Sequence, residues 1–151
     1  MSPEQKALVK ETWWKVAPMA DAAARLIYDR LFEMDPTTRP LFKTIDLADQ
    51  RRKLIQAVTM VVQGLDHLET LVPMIADLGR RHAQFGVTDD HYDTVGAALL
   101  WTLEQGLGSA WTPEVKVGWS CAYALLADVM RGAAGEPAFA PAHSTQNREL
   151  T

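Results

Sequence analysis

The sequence predicts an all-α protein. Apolar residues recur three and four positions apart along almost its whole length, and alternating runs of Val, Ile and Thr are missing. Several apolar stretches also open on a capping residue followed by proline or acids, the local signal that starts a helix.

Taken in order, Ser2-Pro3-Glu4-Gln5 begins the first helix, with Ser2 as cap and Gln5 reaching back to it, and Leu8, Val9, Trp13 and Val16 as its inner face. Pro18 interrupts the pattern. A second helix follows from about Met19 to Met34, with Ala24, Ile27, Tyr28 and Leu31 on one stripe, and Asp35-Pro36 stops it. A short helical turn then carries Leu41 and Phe42, and the polar stretch from Lys43 to Asp49 reads as a corner or loop. The next helix runs to about Leu65, weakened at Gly64, with Gln50, Leu54, Ala57, Val58 and Val61 as its buried stripe. Leu68 to Phe85 is a further helical stretch with a possible break at Pro73. Its inner face would carry Met74, Ile75, Leu78 and His82, and Gly86 ends it. Thr88-Asp89-Asp90 caps a helix that closes at Gly106 to Gly108. Thr112-Pro113-Glu114 starts the last, with Val115, Trp119, Ala122, Leu125, Leu126 and Val129 inward and Gly132 at its end. Residues 133–151 are Ala, Gly, Pro and polar side chains, so the expectation is a domain over 1–132 and a flexible tail over 133–151.

At 151 residues the chain has the length of one domain, and 48% hydrophobic with 23% charged residues is ordinary for a globular protein. A net charge of -4 offers no general attraction to phosphate backbones or anionic lipid, so neither nucleic acid nor membrane is expected as a partner. Cys121 is the only cysteine, which excludes an internal disulfide or a cysteine-held metal cluster. No secretory leader or apolar run of the roughly 18 residues needed for a span is visible, so a cytoplasmic location is expected.

Three polar side chains interrupt the apolar stripes: Tyr28, Gln50 and His82. A polar group facing a core needs a partner, because leaving it unpaired costs about 1–3 kcal/mol. Singly, each is better explained without a cofactor, by a backbone carbonyl as partner or, for Gln50, by a misjudged boundary or helix face. Together, on separate helices, they suggest a shared pocket in which an imidazole ligates a metal centre while a phenol and an amide hydrogen bond its ligand. His67, His91 and His143 fall in segments read as surface.

The stretch Leu78-Gly79-Arg80-Arg81-His82-Ala83-Gln84-Phe85-Gly86-Val87 resembles the surroundings of the proximal histidine in neuroglobins and related bacterial globins. Pro40-Leu41-Phe42 is similar to the globin corner whose phenylalanine packs on haem, Trp13 matches the tryptophan usual in the first globin helix, and Tyr92-Asp93-Thr94-Val95-Gly96 matches in order. Gln50 lies 32 residues before His82, at the family's distal position, with Leu54 one turn on and Tyr28 at the distal tyrosine site. The Tyr, Gln, Leu set resembles bacterial single-domain haemoglobins and the haem domain of flavohaemoglobins.

That resemblance implies a three-over-three globin fold and haem b, with His82 as the metal ligand and Tyr28 and Gln50 as the catalytic or ligand-binding pair. Phe42, Lys53, Leu54, Leu78, Arg81, Val87, Tyr92 and Val95 would contact the cofactor, Lys53 and Arg81 through its propionates. The implied ligands are oxygen, nitric oxide and carbon monoxide. The implied function is reversible oxygen binding, transport or storage, with nitric oxide dioxygenation to nitrate supported by an external reductase. A gas or redox sensor acting through a protein partner is the alternative. One departure stands out: the flavohaemoglobin glutamate that bonds the proximal histidine falls on Ala134 here, with Glu136 two residues on, so a peroxidase-like iron is not expected.

Overall fold

The computed structural model describes residues 1–134, which form six α-helices and no strand. Helix α1 spans Pro3–Val16, α2 Ala20–Met34, α3 Leu47–Gln63, α4 Leu68–Gln84, α5 Asp89–Leu107 and α6 Pro113–Ala134, with short 3-10 turns between most of them. The expected tail lies outside the described residues, apart from Ala133 and Ala134.

The local signals act as their chemistry requires. Ser2 Oγ accepts from the Gln5 N–H at 3.1 Å while Gln5 Oε1 accepts from the Ser2 N–H at 2.9 Å, a reciprocal box that satisfies two end donors of α1. Asp46 caps α3 through the Ala48 N–H at 3.0 Å, so that helix begins inside the stretch expected as loop. His91 Nδ1 accepts from the Thr88 N–H at 2.9 Å, which gives this surface histidine a capping role at the start of α5.

The main core joins α1, α2, α5 and α6 around Val9, Trp13, Val16, Leu31, Leu103 and Trp119. Trp13 and Trp119 meet edge to face with ring centroids 6.2 Å apart. The Trp119 indole N–H donates to Thr12 Oγ1 at 2.8 Å, and that hydroxyl donates to the Leu8 carbonyl at 2.7 Å, so Thr12 is buried with its bonds made. A second cluster of Ile75, Tyr92, Ala127 and Met130 lies where α4 packs along α6.

Four expectations are corrected. Helix α4 runs through Pro73 without a break, because a proline in its second turn removes one backbone bond while the face carrying Ile75 and Gly79 is held on α6. Met74 and Leu125 are exposed, at 39% and 41%, because a helix turns 100° per residue and their neighbours Ile75 and Leu126 take the inward positions. Gly132 does not stop α6: Ala133 beside it is buried, and its packing carries the helix to Ala134. The α3 stripe of Gln50, Leu54, Ala57, Val58 and Val61 is half-buried, and only Val62 on that helix is fully enclosed.

Candidate ligand-binding site

His82 is set by the way α4 ends. Gly86 adopts a φ of 91°, a conformation open to glycine at little cost, and turns the chain so that the Val87 N–H bonds the His82 carbonyl at 3.1 Å and the Gly86 N–H the Ala83 carbonyl at 3.0 Å. The imidazole therefore sits in the last turn of the helix, its backbone carbonyl already occupied. Its Nδ1 lies 2.8 Å from the Leu78 carbonyl oxygen. A carbonyl only accepts, so Nδ1 carries the proton and Nε2 keeps the lone pair. Burial pushes the imidazole below its ordinary pKa, against the bond to Leu78 and with help from the charge of Arg81, so the ring is neutral near pH 7.

The surrounding side chains fix α4 against α6. Leu78, Val87 and Tyr123 flank the second core cluster, and the buried Tyr92 ring belongs to it. Gly79 has no room for a side chain: a Cβ there would stand 2.5 Å from the Met130 carbonyl oxygen and 2.6 Å from the Met130 Cα. The Tyr92 hydroxyl is buried without a hydrogen-bond partner among the described residues, and burial holds its pKa above the ordinary value. Ala134, in the place of the expected acid, supplies no carboxylate. The Arg131 guanidinium lies 5.3 Å from the Tyr92 ring centroid.

Tyr28, Gln50 and Phe42 come together between α2, α3 and the turn Pro36–Phe42. The Tyr28 ring meets Phe42 edge to face at 5.4 Å, and Phe32 packs on Phe42 at 5.5 Å, which locks the phenol in place. Burial raises the Tyr28 pKa, opposed first by a hydrogen bond from Gln50 and then by the charge of Arg51, so the hydroxyl stays protonated at neutral pH. Leu54 and Val95 are partly buried and pack against the main core to which Tyr28 belongs. Val61 touches both core clusters, so the α3 side and the α4–α6 side of the site meet there.

Lys53 and Arg81 make ion pairs within their own helices, Lys53 with Asp49 at 3.5 Å and Arg81 with Asp77 at 3.4 Å. Arg51 escaped the sequence analysis. Its side chain is only 17% exposed, pairs with Asp21 at 3.2 Å and so ties α3 to α2 one residue from Gln50. A run of three cations on a helix reads as a solvated face, and only the Asp21 partner shows otherwise. Arg51→Gln is expected to raise the Tyr28 pKa further, readable as a shift of one step in the ultraviolet titration of the protein's three tyrosines, assigned with Tyr28→Phe.

Against known proteins, the Globin family model matches residues 25–130, and the chain belongs to the globin family. Its helices form the all-α, three-over-three globin fold that the resemblance implied. Among relatives, the chain is 33% identical over 134 residues to the flavohemoprotein of Bordetella parapertussis, covering 87% of this chain and 33% of that one. The flavohemoproteins of Deinococcus radiodurans and Pseudomonas putida are each 32% identical, with 87% and 88% of this chain covered. The chain thus spans about a third of the length of these relatives. A solved structure of a hexacoordinated heme protein from an anhydrobiotic tardigrade superposes with a TM-score of 0.80 at 17% identity, covering 90% of this chain and 96% of that one.

Proposed function

We propose that this globin holds haem b through His82 Nε2 and binds oxygen on the side of Tyr28 and Gln50. The 2.8 Å bond from His82 Nδ1 to the Leu78 carbonyl carries the reading, since it leaves a neutral imidazole with one nitrogen able to ligate. Among the described residues no group of three or more His, Cys, Asp or Glu is placed to hold an ion. A single imidazole suits a metal already held by another chelator, which is what a porphyrin provides. Phe42, Leu54, Leu78, Val87, Tyr92 and Val95 would enclose the ring. Lys53 and Arg81 would meet its propionates after leaving their present acid partners.

When bound, haem supplies an iron that takes and polarises a diatomic gas. The Tyr28 hydroxyl, neutral and locked by Phe42, donates to the bound ligand, with the Gln50 amide as second donor. Each such bond contributes about 1–1.5 kcal/mol, or roughly tenfold in ligand release. Tyr28→Phe is therefore expected to speed oxygen release about tenfold in flash photolysis or stopped flow. An unchanged rate would show that the hydroxyl does not engage the ligand.

Nitric oxide dioxygenation with an external reductase is the further activity, supported by the flavohemoprotein relatives. Among the described residues neither the Tyr92 hydroxyl nor Ala134 supplies an acid to His82, which favours a proximal histidine without strong electron donation; Glu136 lies outside the described residues. Work in the cytoplasm beside such a reductase is part of the same proposal; among the described residues no helix is long and apolar enough to cross a membrane. Absorption titration of the purified protein with oxygen, carbon monoxide and nitric oxide tests the reading. The absence of a haem band after reconstitution would overturn it. Nitrate formation with an added flavin reductase tests the second activity.

A further inference from the structure

Helix α3 carries Gln50 and is the least enclosed of the six helices. Val62, near its end, is its one buried residue, while each of the other five has at least two. The first turns of α3 therefore depend on polar ties more than on packing. Three consecutive cations lie there, and they differ in what they reach. Arg52 and Lys53 pair with Asp49 on α3 itself and are 66% and 54% exposed. Arg51 is 17% exposed, and its Nε donates to Asp21 Oδ1 at 3.2 Å, in the first turn of α2. Asp21 is steadied in turn by Arg25, four residues on, at 3.4 Å.

We infer that Arg51 is a positioning residue for the ligand side of the site: its ion pair with Asp21 fixes the start of α3 on α2, and losing it lets gas enter and leave faster. Asp21 and Tyr28 are seven residues apart, two turns or about 10 Å along nearly the same face of α2. Gln50 and Arg51 are neighbours on α3, so their side chains diverge by about 100° around its axis. Gln50 bonded to Tyr28 and Arg51 bonded to Asp21 thus hold α3 at two separate turns of α2, which opposes both rotation and separation. With one tie cut, α3 can pivot about the other and draw the Gln50 amide away from the phenol. The effect on gas rests on the proposed haem reading, whereas the tie belongs to the chain alone.

The test is flash photolysis of the carbon monoxide complex, with stopped-flow oxygen release, for Asp21→Asn, Arg51→Gln, the double variant and Arg52→Gln. The first two should each speed gas entry and oxygen release about two- to fivefold at unchanged haem content, the range expected of a partly exposed ion pair. The double variant should be no faster than the faster single one, since either change cuts the same tie. Arg52→Gln removes an equal charge one residue away and should match the parent. Asp21→Asn leaves the Arg51 charge beside Tyr28, so a change in Arg51→Gln without one in Asp21→Asn would overturn the inference. Equal effects in Arg52→Gln would do the same. Amide hydrogen exchange of the haem-free protein separates this inference from the haem reading. Amides in the second and third turns of α3 should exchange about two- to fivefold faster in both tie variants, with α4, α5 and α6 unmoved. Unchanged exchange would sink the tie whatever the chain binds; faster exchange in a chain that takes up no haem would sink the haem reading and leave the tie standing.

Discussion

His82→Ala is expected to yield a folded protein that retains almost no pigment, with the haem absorption band lost relative to protein absorbance. The reason lies in the donor set. His82 Nε2 is the lone-pair nitrogen that the Leu78 carbonyl leaves available, and no cluster among the described residues can replace it. The helix end should survive, since the Val87 and Gly86 bonds that close α4 use backbone atoms. A second readout separates loss of binding from loss of fold. A ligand present at a hundredfold excess over its Kd stabilises a protein by about 2.7 kcal/mol, so added haem should raise the Tm of the parent and leave that of the variant unmoved. Free imidazole should restore part of the pigment by occupying the space of the missing ring. Full pigment retention by His82→Ala would remove the basis of the proposed function.

The second large effect is expected at Gly79, one turn before His82. In Gly79→Ala the new Cβ meets the backbone of Met130 at 2.5–2.9 Å, and a helix backbone cannot move aside as a flexible side chain would. Helix α4 must therefore lift from α6 along its main packing surface. Overpacking of this kind costs about 3 kcal/mol, or roughly 10 °C in Tm for a domain of this size. The displacement also carries the imidazole with it, so haem affinity should fall in the same variant. Gly132→Ala is the control: nothing lies within 4 Å of its Cβ position, and the extra methyl should leave stability unchanged or raise it by about 0.5–1 kcal/mol. Equal behaviour of the two variants would show that α4 and α6 do not approach as closely as described.

Much of the site was legible because its residues break a pattern. Tyr28, Gln50 and His82 are polar positions in apolar stripes, and the resemblance then gave each of them an expected role. What remained hidden was partnership. Arg51 looks like one more cation on a charged helix until Asp21 appears beside it at 3.2 Å. Lys53 and Arg81 look free to meet an anionic ligand until Asp49 and Asp77 are found as their neighbours. Thr12 looks like a surface residue until its hydroxyl is seen between Leu8 and Trp119. In each case the partner is remote in sequence or shares a helix face that spacing alone does not orient.

The chain's own pattern determined that it is all helical, where most helices begin and end, and which residues interrupt the apolar faces. These are local matters of capping, periodicity and glycine or proline chemistry, settled within a few residues. Only the tertiary structure decided which nitrogen of His82 keeps its lone pair, how Phe42 holds Tyr28 beside Gln50, and that Gly79 must be bare for α4 to reach α6. The last two depend on the distance between groups in separate elements and the first on the rotamer of one side chain within a helix turn, and a bond or a clash that changes over a few tenths of an ångström has no counterpart in periodicity.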